Sequence, residues 1–185
     1  QGNTDAQSNL GWLYHNGEGV TQDYKEAEKW YRLATKQGDA GAQFNLGVMY
    51  QAGEGVTKDY QEALKWFRLA AAQGLAQAQF NLGQMYVKGQ GVTQDYKEAT
   101  KWWRLAAEQG DVEAQYNLGV MYSQGKGPTQ DYKEAAKWYR LAAAQGFVNA
   151  QYNLAVMYVF GQGVIKNHVV AHMWTNIAAR NGHEA

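Results

Sequence analysis

The sequence predicts an all-α solenoid, an array of five helical hairpins, and two observations support that prediction. One phrase recurs every 36 residues and opens each time at an alanine: Ala6, Ala42, Ala78, Ala114 and Ala150. Inside each copy, apolar residues follow helical spacing in two segments that a glycine-rich turn separates. Because a repeat array buries its apolar surface between successive units, we expect one rod-like domain over residues 1–185. Its repeats are expected at about 3–38, 39–74, 75–110, 111–146 and 147–182.

The first segment of each repeat, which we call helix A, carries one apolar stripe. In the second repeat its residues fall at i, i+4, i+7 and i+8: Ala42, Leu46, Met49 and Tyr50. Gly53 follows the stripe, where a residue free to take positive φ can end the helix, and Gly55 continues the turn. The methionines of this stripe are expected in the core: Met49, Met85, Met121 and Met157.

The second segment, helix B, opens with a predicted capping box. Asp59 is expected to accept from exposed backbone N–H groups, and Glu62 to reach back to the Asp59 N–H. The same pair recurs as Asp23 with Glu26, Asp95 with Glu98 and Asp131 with Glu134. A wide apolar band follows: Tyr60, Ala63, Trp66, Phe67, Leu69 and Ala70. One partner helix cannot cover that band, so neighbouring repeats must contribute, while Lys65 and Arg68 should lie on the solvated outer face.

Helix A contains a glycine in four repeats: Gly11, Gly47, Gly83 and Gly119. Glycine inside a helix costs about 1 kcal/mol relative to alanine, so a compensating contact is needed. We expect helix B to approach closely at this point. The fifth repeat has Ala155 here, which is still small and therefore favours a steric reason over a flexible hinge.

Composition limits the classes of partner. Lys plus Arg and Asp plus Glu number 17 each, so no long-range positive field attracts phosphates, and we expect no nucleic acid. No apolar run approaches the roughly 20 residues of a bilayer crossing, so we expect no membrane insertion. The chain has no cysteine, which suits reducing and oxidising compartments alike. Since Gln1-Gly2 matches Gln37-Gly38, the end of a repeat, we expect a longer parent chain.

The recurring pattern resembles the SEL-one-like repeat family, which is related to the tetratricopeptide repeats. It runs Ala, Asn-Leu-Gly, Tyr, Gly-x-Gly-Val, Asp-Tyr, Ala, Trp, Ala-Ala and Gly, and it covers the whole chain. The resemblance implies a right-handed α/α superhelical solenoid of five 36-residue helix-turn-helix repeats that serves as a scaffold for proteins or peptides. It implies no catalytic group and no cofactor. Members occur in bacterial envelopes, among secreted bacterial proteins and in eukaryotic membrane-associated assemblies, which slightly favours a periplasmic or secreted location.

The fifth repeat departs from the pattern. Asn167 and His168 replace the Asp-Tyr pair, and Val169, Val170 and Met173 replace charged residues of the outer face. In similar proteins such a segment is commonly the last full repeat before a capping helix. We predict that the natural cap is not included, which leaves an apolar end able to self-associate.

The tetratricopeptide resemblance places helix A on the concave side of the superhelix, where a partner would bind. Three rows of residues are predicted to face this groove. The aromatic row is Ser8, Phe44, Phe80, Tyr116 and Tyr152. The asparagine row is Asn9, Asn45, Asn81, Asn117 and Asn153. The third row is Trp12, Val48, Gln84, Val120 and Val156, and Lys88 is the clearest positive charge in the groove.

The asparagine row predicts a sequence-tolerant hold on an extended peptide, because each carboxamide offers donors and an acceptor. Two alternatives stay open at this point. Each asparagine could instead bond the backbone of a neighbouring repeat, and the aromatic rings could only fill gaps between adjacent A helices. Lys88, together with the apolar pair Val159 and Phe160, favours an acidic or apolar peptide.

The sequence does not support sites for other chemistry. The five Gly-x-Gly turns lack the nucleotide-binding fingerprints and follow no strand. His168 and His172 have a spacing that suits a metal ion, but no third ligand is evident. Asp5 and Glu113, the carboxylates near the groove rim, are separated by several repeats. We therefore expect no metal, no cofactor and no catalytic residue.

The sequence thus predicts a non-catalytic scaffold that binds a protein or peptide in its concave groove. A carbohydrate or peptidoglycan-fragment binding module is the main alternative, because a row of aromatic rings can stack on sugar faces. A cell-wall hydrolase is a third reading, which would require acid and base groups that converge in the groove.

Overall fold

Ten α-helices make up residues 3–182, the part of the chain that the computed structural model describes, and no strand occurs there. The odd-numbered helices are the predicted A helices and the even-numbered ones the B helices. In chain order they are α1 (Thr4–Asn16), α2 (Tyr24–Thr35), α3 (Ala40–Ala52), α4 (Tyr60–Ala72), α5 (Ala76–Lys88), α6 (Tyr96–Glu108), α7 (Val112–Gln124), α8 (Tyr132–Ala144), α9 (Val148–Phe160) and α10 (His168–Arg180). The prediction of an all-α solenoid built from five helical hairpins is confirmed.

The chain forms two compact units, one ending at Gln94 and the other beginning at Asp95. The first unit contains α1 to α5 and the second contains α6 to α10. Within each unit, every helix packs against the helices that precede and follow it in sequence. This nearest-neighbour packing is typical of repeat arrays, in which each hairpin is covered by the adjacent hairpins.

The turn between helix A and helix B depends on both glycines of the Gly-x-Gly pair. Gly53 ends α3 with φ 84°, and its N–H donates to the Met49 carbonyl at 2.7 Å. Gly55 also has a positive φ of 71°, and a Cβ placed on it would lie 2.6 Å from Tyr24 Cβ. The second glycine is therefore required by its backbone conformation and by its contact with the start of the preceding B helix.

The cap of helix B contains half of the predicted capping box. Asp59 Oδ1 accepts from the N–H groups of Gln61 and Glu62, at 2.8 and 3.1 Å. The predicted return bond from Glu62 is wrong, because the Asp59 N–H already donates to the Tyr50 carbonyl at 2.9 Å. Glu62 instead pairs with Lys65, with 3.3 Å between Oε1 and Nζ.

The small residue inside helix A lies against an aromatic ring of helix B. A Cβ placed on Gly47 would sit 2.6 Å from Phe67 Cε1, which is far inside van der Waals contact. Gly11 and Gly119 lie in the same way against Tyr31 and Tyr139. The predicted close approach of helix B is confirmed at these positions. In the fifth repeat, Ala155 takes the place of the glycine and Thr175 takes the place of the ring, so the larger residue in helix A accompanies a smaller one in helix B.

The core contains the predicted stripe of helix A, but the buried face of helix B differs from the predicted band. The methionines expected in the core are buried: Met49, Met85, Met121 and Met157. Leu69 was expected in the buried band of helix B, and that expectation is wrong, since its side chain is 44% exposed. Phe67 lies at the centre of the packed face. Leu69 comes two residues later, so at about 100° per residue it lies roughly 200° further around the helix axis, on the opposite side. Its equivalents are exposed as well: Leu33, Leu105 and Leu141.

A link between successive repeats was missed by the sequence analysis. Arg68 on a B helix donates to the Tyr86 hydroxyl on the next A helix, at 2.8 Å. The same contact joins Arg32 to Tyr50, Arg104 to Tyr122 and Arg140 to Tyr158. The tyrosine recurs in all five repeats and the arginine in the first four, each arginine 18 residues before its tyrosine, so the pattern was present in the sequence. Its partners could not be assigned until the hairpins were placed side by side.

A buried glutamine at the start of helix A joins three helices. Gln115 Nε2 donates to the Ala107 carbonyl at 3.1 Å, and Gln115 Oε1 accepts from Gln145 at 2.9 Å. Ala107 lies on the preceding B helix, and Gln145 follows the B helix of the same repeat. A buried polar side chain whose hydrogen bonds are made fixes the packing of these helices, because any slip would leave it unpaired.

Helix α10 presents apolar side chains to solvent where the other B helices present charges. Val169 is 81% exposed and Met173 is 47% exposed, and Ile165, in the turn before α10, is 90% exposed. Asn167 takes the capping role of the missing aspartate by accepting from the N–H groups of Val169 and Val170. The predicted apolar outer face is confirmed. Self-association through it stays a prediction.

Replacing Gly47 by alanine should lower the free energy of unfolding by about 1–3 kcal/mol, because the added methyl group would overlap the Phe67 ring. Urea denaturation measures the change. Gly41→Ala is a matched control in the same helix, because a Cβ there would meet nothing closer than 3.4 Å. This control should equal or exceed the wild type in stability, since alanine is the better helix former. Equal losses in the two variants would contradict the steric explanation.

Candidate functional site

The predicted groove residues lie on the A helices beside the buried stripe, and we call the three rows within each unit, together with Lys88, the helix-A face. The first unit contributes α1, α3 and α5, and the second contributes α7 and α9. Four members of the face are well exposed to solvent: Asn9, Trp12, Lys88 and Tyr152. The other members are half-buried: Ser8, Phe44, Asn45, Val48, Phe80, Asn81, Gln84, Tyr116, Asn117, Val120, Asn153 and Val156.

The asparagine row retains hydrogen-bonding capacity. Within residues 3–182, the carboxamides of Asn45, Asn81 and Asn117 make no hydrogen bond to another residue, although all three are half-buried. The alternative in which each asparagine bonds the backbone of a neighbouring repeat is therefore not observed for these three. Asn153 differs, because its side chain lies close enough to the Tyr139 hydroxyl to lower the pKa of that phenol.

The aromatic row is anchored from below by the B helices. The Phe44 ring lies 5.7 Å from the Phe67 ring, and the Tyr116 ring lies 5.9 Å from the Tyr139 ring, measured between centroids. Tyr116 also lies 4.9 Å from Phe147, at the start of the next repeat. The half-buried rings thus fill space between helices with one side and keep the other side at the surface.

A cleft of about 310 Å³ opens on the helix-A face between α7 and α9. We call it the α7–α9 cleft, and its lining consists of Tyr116, Val120, Ser123, Gln124, Tyr139, Asn153, Val156, Met157 and Gln162. Every lining side chain is uncharged. The sequence analysis predicted four of these residues for the groove and missed the other five. Of those five, Ser123 could have been noticed in the sequence by its size. It is the smallest residue in the row His15, Gln51, Val87, Ser123 and Val159.

A second cleft of about 150 Å³ occupies the equivalent place between α1 and α3. This α1–α3 cleft is lined by Trp12, His15, Asn16, Tyr31, Phe44, Asn45 and Val48. His15 Nε2 lies 3.2 Å from Glu54 Oε2, whereas His15 Nδ1 is buried and has no hydrogen-bond partner in the described part of the chain. Because His15 stands where the other cleft has a serine, the larger side chain fills part of the space.

A tyrosine from helix B lies at the floor of each cleft. Tyr139 is 3% exposed, and its hydroxyl lies 3.4 Å from Ser123 Oγ. Burial raises the pKa of the Tyr139 phenol, and the neighbouring polar side chains of Ser123 and Asn153 partly oppose that effect. Burial alone raises the pKa of the Tyr31 phenol well above its ordinary value. Both floors therefore carry neutral hydroxyl groups at ordinary pH.

Groups suited to metal binding do not come together in residues 3–182, and the two carboxylates predicted near the groove rim do not form a pair. No cluster of three or more His, Asp or Glu side chains there could hold a metal ion. His172 Nε2 lies 3.1 Å from Asn176 Nδ2, and His168 is exposed. Asp5 and Glu113 are exposed and lie in different units. Over the same residues, no helix has the length and apolar character needed to cross a bilayer.

Helical hairpins stacked in sequence, with an accessible face built from one helix of each pair, define an α/α repeat protein. A family model described as Sel1 repeat matches the chain at five places: residues 4–39, 40–75, 76–111, 112–147 and 148–183. The chain belongs to the Sel1 repeat family. Proteins of this family are generally protein–protein interaction modules and are typically non-catalytic scaffolds.

Solved structures similar to most of this chain include two that are at least 40% identical to it. A protective antigen of uropathogenic Escherichia coli strains that displays an SLR fold is 45% identical, with a TM-score of 0.95, and the match covers 97% of this chain. A Sel1 repeat protein from Oxalobacter formigenes is 40% identical, with a TM-score of 0.92 over 98% of this chain. The chain spans 38% of the length of the first protein and 75% of the second. No curated protein matches it.

Raising the pH above about 10 should destabilise the wild type more than a Tyr31→Phe variant. Because the folded phenol has the raised pKa, the unfolded phenol ionises first. The contribution of Tyr31 is thus complete below about pH 10 and is lost above it, by about 1.4 kcal/mol per pH unit. Urea denaturation at a series of pH values measures this loss.

The Tyr31→Phe variant should fold, since Phe67 occupies the equivalent position in the second repeat. Tyr152→Phe is the control, because it removes a hydroxyl group from a side chain that is 41% exposed instead of buried. Parallel curves for the wild type and Tyr31→Phe would contradict the role assigned to burial.

Proposed function

We propose that this chain is a non-catalytic scaffold that binds an extended segment of a protein or peptide along its helix-A face. The observation that carries the proposal is the set of unpaired carboxamides at Asn45, Asn81 and Asn117. None of these carboxamides is among the buried polar atoms that lack a partner, so water reaches them in the free chain, and a ligand that displaces this water can supply equivalent hydrogen bonds. The main chain of an extended peptide offers a donor and an acceptor at almost every residue.

The aromatic row supports the same proposal. Phe44 and Tyr116 are fixed from below by ring contacts with Phe67 and Tyr139, so they can contact a ligand without a large loss of side-chain entropy. Carboxamides that bond a main chain do not read its sequence. Selectivity must therefore come from the clefts and from charges at the edge of the face, such as Lys88.

A carbohydrate-binding module, for instance one for peptidoglycan fragments, is the second candidate. The exposure of the Trp12 and Tyr152 rings favours it, because a flat aromatic face at the surface can stack on a sugar ring. The two candidates differ in the ligand that displaces water from the asparagines. Titration with a soluble peptidoglycan fragment should perturb Tyr116 and Tyr152 in this second case, and it should leave them unchanged if the face binds only peptides.

The triple change Asn45→Ala, Asn81→Ala and Asn117→Ala should weaken peptide binding at least tenfold without lowering stability. Each lost hydrogen bond is worth about 0.5–1.5 kcal/mol, while alanine is a better helix former than asparagine. A peptide is first selected from a random display library on the wild-type chain. Fluorescence polarisation then gives its dissociation constant for each variant, and thermal unfolding checks the stability.

The matched control changes three exposed residues at equivalent positions of B helices: Lys25→Ala, Gln61→Ala and Lys133→Ala. This control should bind the selected peptide as the wild type does. Unchanged affinity in the asparagine variant, combined with weakened binding in the control, would place the ligand on the B helices and end the proposal. Alanine changes at Phe44 or Tyr116 are less informative, because they also remove packing against the B helices.

A further inference from the structure

The α7–α9 cleft and the α1–α3 cleft occupy equivalent places, yet their chemistry differs. Ser123 and Gln162 stand three repeats after His15 and Glu54, at the same positions of the pattern. In the first unit these positions hold a histidine and a carboxylate 3.2 Å apart. In the second unit they hold two neutral side chains, and the cleft there has about twice the volume, 310 against 150 Å³. The sequence of the fourth and fifth repeats has therefore opened a neutral pocket.

Hydroxyl oxygens with acceptor capacity lie at the floor of this pocket. The Ser123 hydroxyl donates to the Val120 carbonyl at 2.9 Å, so its proton is already used. Across the 3.4 Å between the two oxygens, the Tyr139 hydroxyl is then the donor. Both oxygens keep lone pairs for a donor that enters the cleft. The carboxamides of Gln124 and Gln162 stand among the lining groups and add N–H donors.

The remaining lining is apolar and excludes two kinds of occupant. Val120, Val156 and Met157 form apolar walls, and Tyr116 adds a ring. An ionised side chain would lose its hydration with no opposite charge among the lining residues to compensate. An aliphatic side chain would satisfy the walls but would leave the floor oxygens without water or a donor.

We propose that the α7–α9 cleft is a specificity pocket that receives a tyrosine side chain of the bound peptide. Its ring fits between the apolar walls, and its hydroxyl both donates to the floor oxygens and accepts from the carboxamides. An indole N–H can only donate, so tryptophan satisfies fewer of these groups. The volume of about 310 Å³ lies at the lower end of ligand sites, which suits one aromatic side chain. This inference rests on the proposed peptide-binding function and adds the residue that the face would select.

A titration with small probes tests the pocket itself. The probe is 4-methylphenol, which reproduces the tyrosine side chain; toluene lacks the hydroxyl, and benzylammonium carries a charge. Side-chain amide signals of Asn153 and Gln162, followed by NMR on the whole chain, should shift saturably with 4-methylphenol. The expected dissociation constant is at least fivefold lower than that for toluene, and benzylammonium should give no saturable shift.

Two variants distinguish the contribution of the Tyr139 hydroxyl from that of the open space in the cleft. Each introduces a residue that another repeat of this chain has at the same position. Tyr139→Phe copies Phe67 and should reduce the preference for 4-methylphenol over toluene to less than twofold. Ser123→His copies His15 and should abolish binding of both probes, because the histidine fills the cleft. Tyr31→Phe, the same change in the other unit, should leave the signals of the α7–α9 cleft unaffected.

Equal affinity for toluene and 4-methylphenol, or binding that survives Ser123→His, would overturn the pocket assignment. Sequencing of the library-selected peptides separates the two proposals. Peptides that need the asparagines, lack a shared tyrosine and bind Ser123→His normally would overturn the pocket while leaving the scaffold function intact. Saturable binding of 4-methylphenol with no selected peptide would overturn both as stated, because the cleft would then serve free phenols.

Discussion

The close approach of helix A to a ring of helix B is the contact on which both the fold and the site depend. A Cβ placed on Gly119 would lie 2.5 Å from Tyr139 Cδ1, so only a residue without a side chain lets this ring pass beneath α7. The ring then ends with its hydroxyl at the floor of the α7–α9 cleft, beside Ser123. A glycine that weakens the helix locally therefore provides the packing of the hairpin and the polar floor of the pocket.

Within each unit, contacts between repeats hold successive hairpins side by side. Arginine–tyrosine bonds such as Arg68 to Tyr86 join the solvated side of a B helix to the next A helix. Buried glutamines such as Gln115 join the helix ends on the inside. With core, ends and flanks occupied in this way, the carboxamides of Asn45, Asn81 and Asn117 are left without a hydrogen-bond partner among residues 3–182. Their availability follows from how completely the other faces are used.

Repetition made the fold predictable, whereas the site depends on departures from repetition. Five copies of one sequence pattern specify the helix ends, the turns and the glycine contact. A residue that departs from the pattern in one copy does not obscure it, because the other copies keep it. The prediction that Leu69 is buried was wrong because Leu69 follows Trp66 at helical spacing and so extends the apolar stripe in the sequence. The packed face of the helix is centred on Phe67 instead. The α7–α9 cleft was not predicted because it depends on two features of different helices. These are the small size of Ser123 and the position of Tyr139.

A double-mutant cycle between Gly119→Ala and Tyr139→Thr measures the central contact most directly. The native pair Ala155 and Thr175 shows that this combination is compatible with the repeat. If the ring and the glycine contact as described, Gly119→Ala should cost at least about 1 kcal/mol less in the Tyr139→Thr background than in the wild type. Additive losses in the free energy of unfolding, with no coupling between the two changes, would contradict the account.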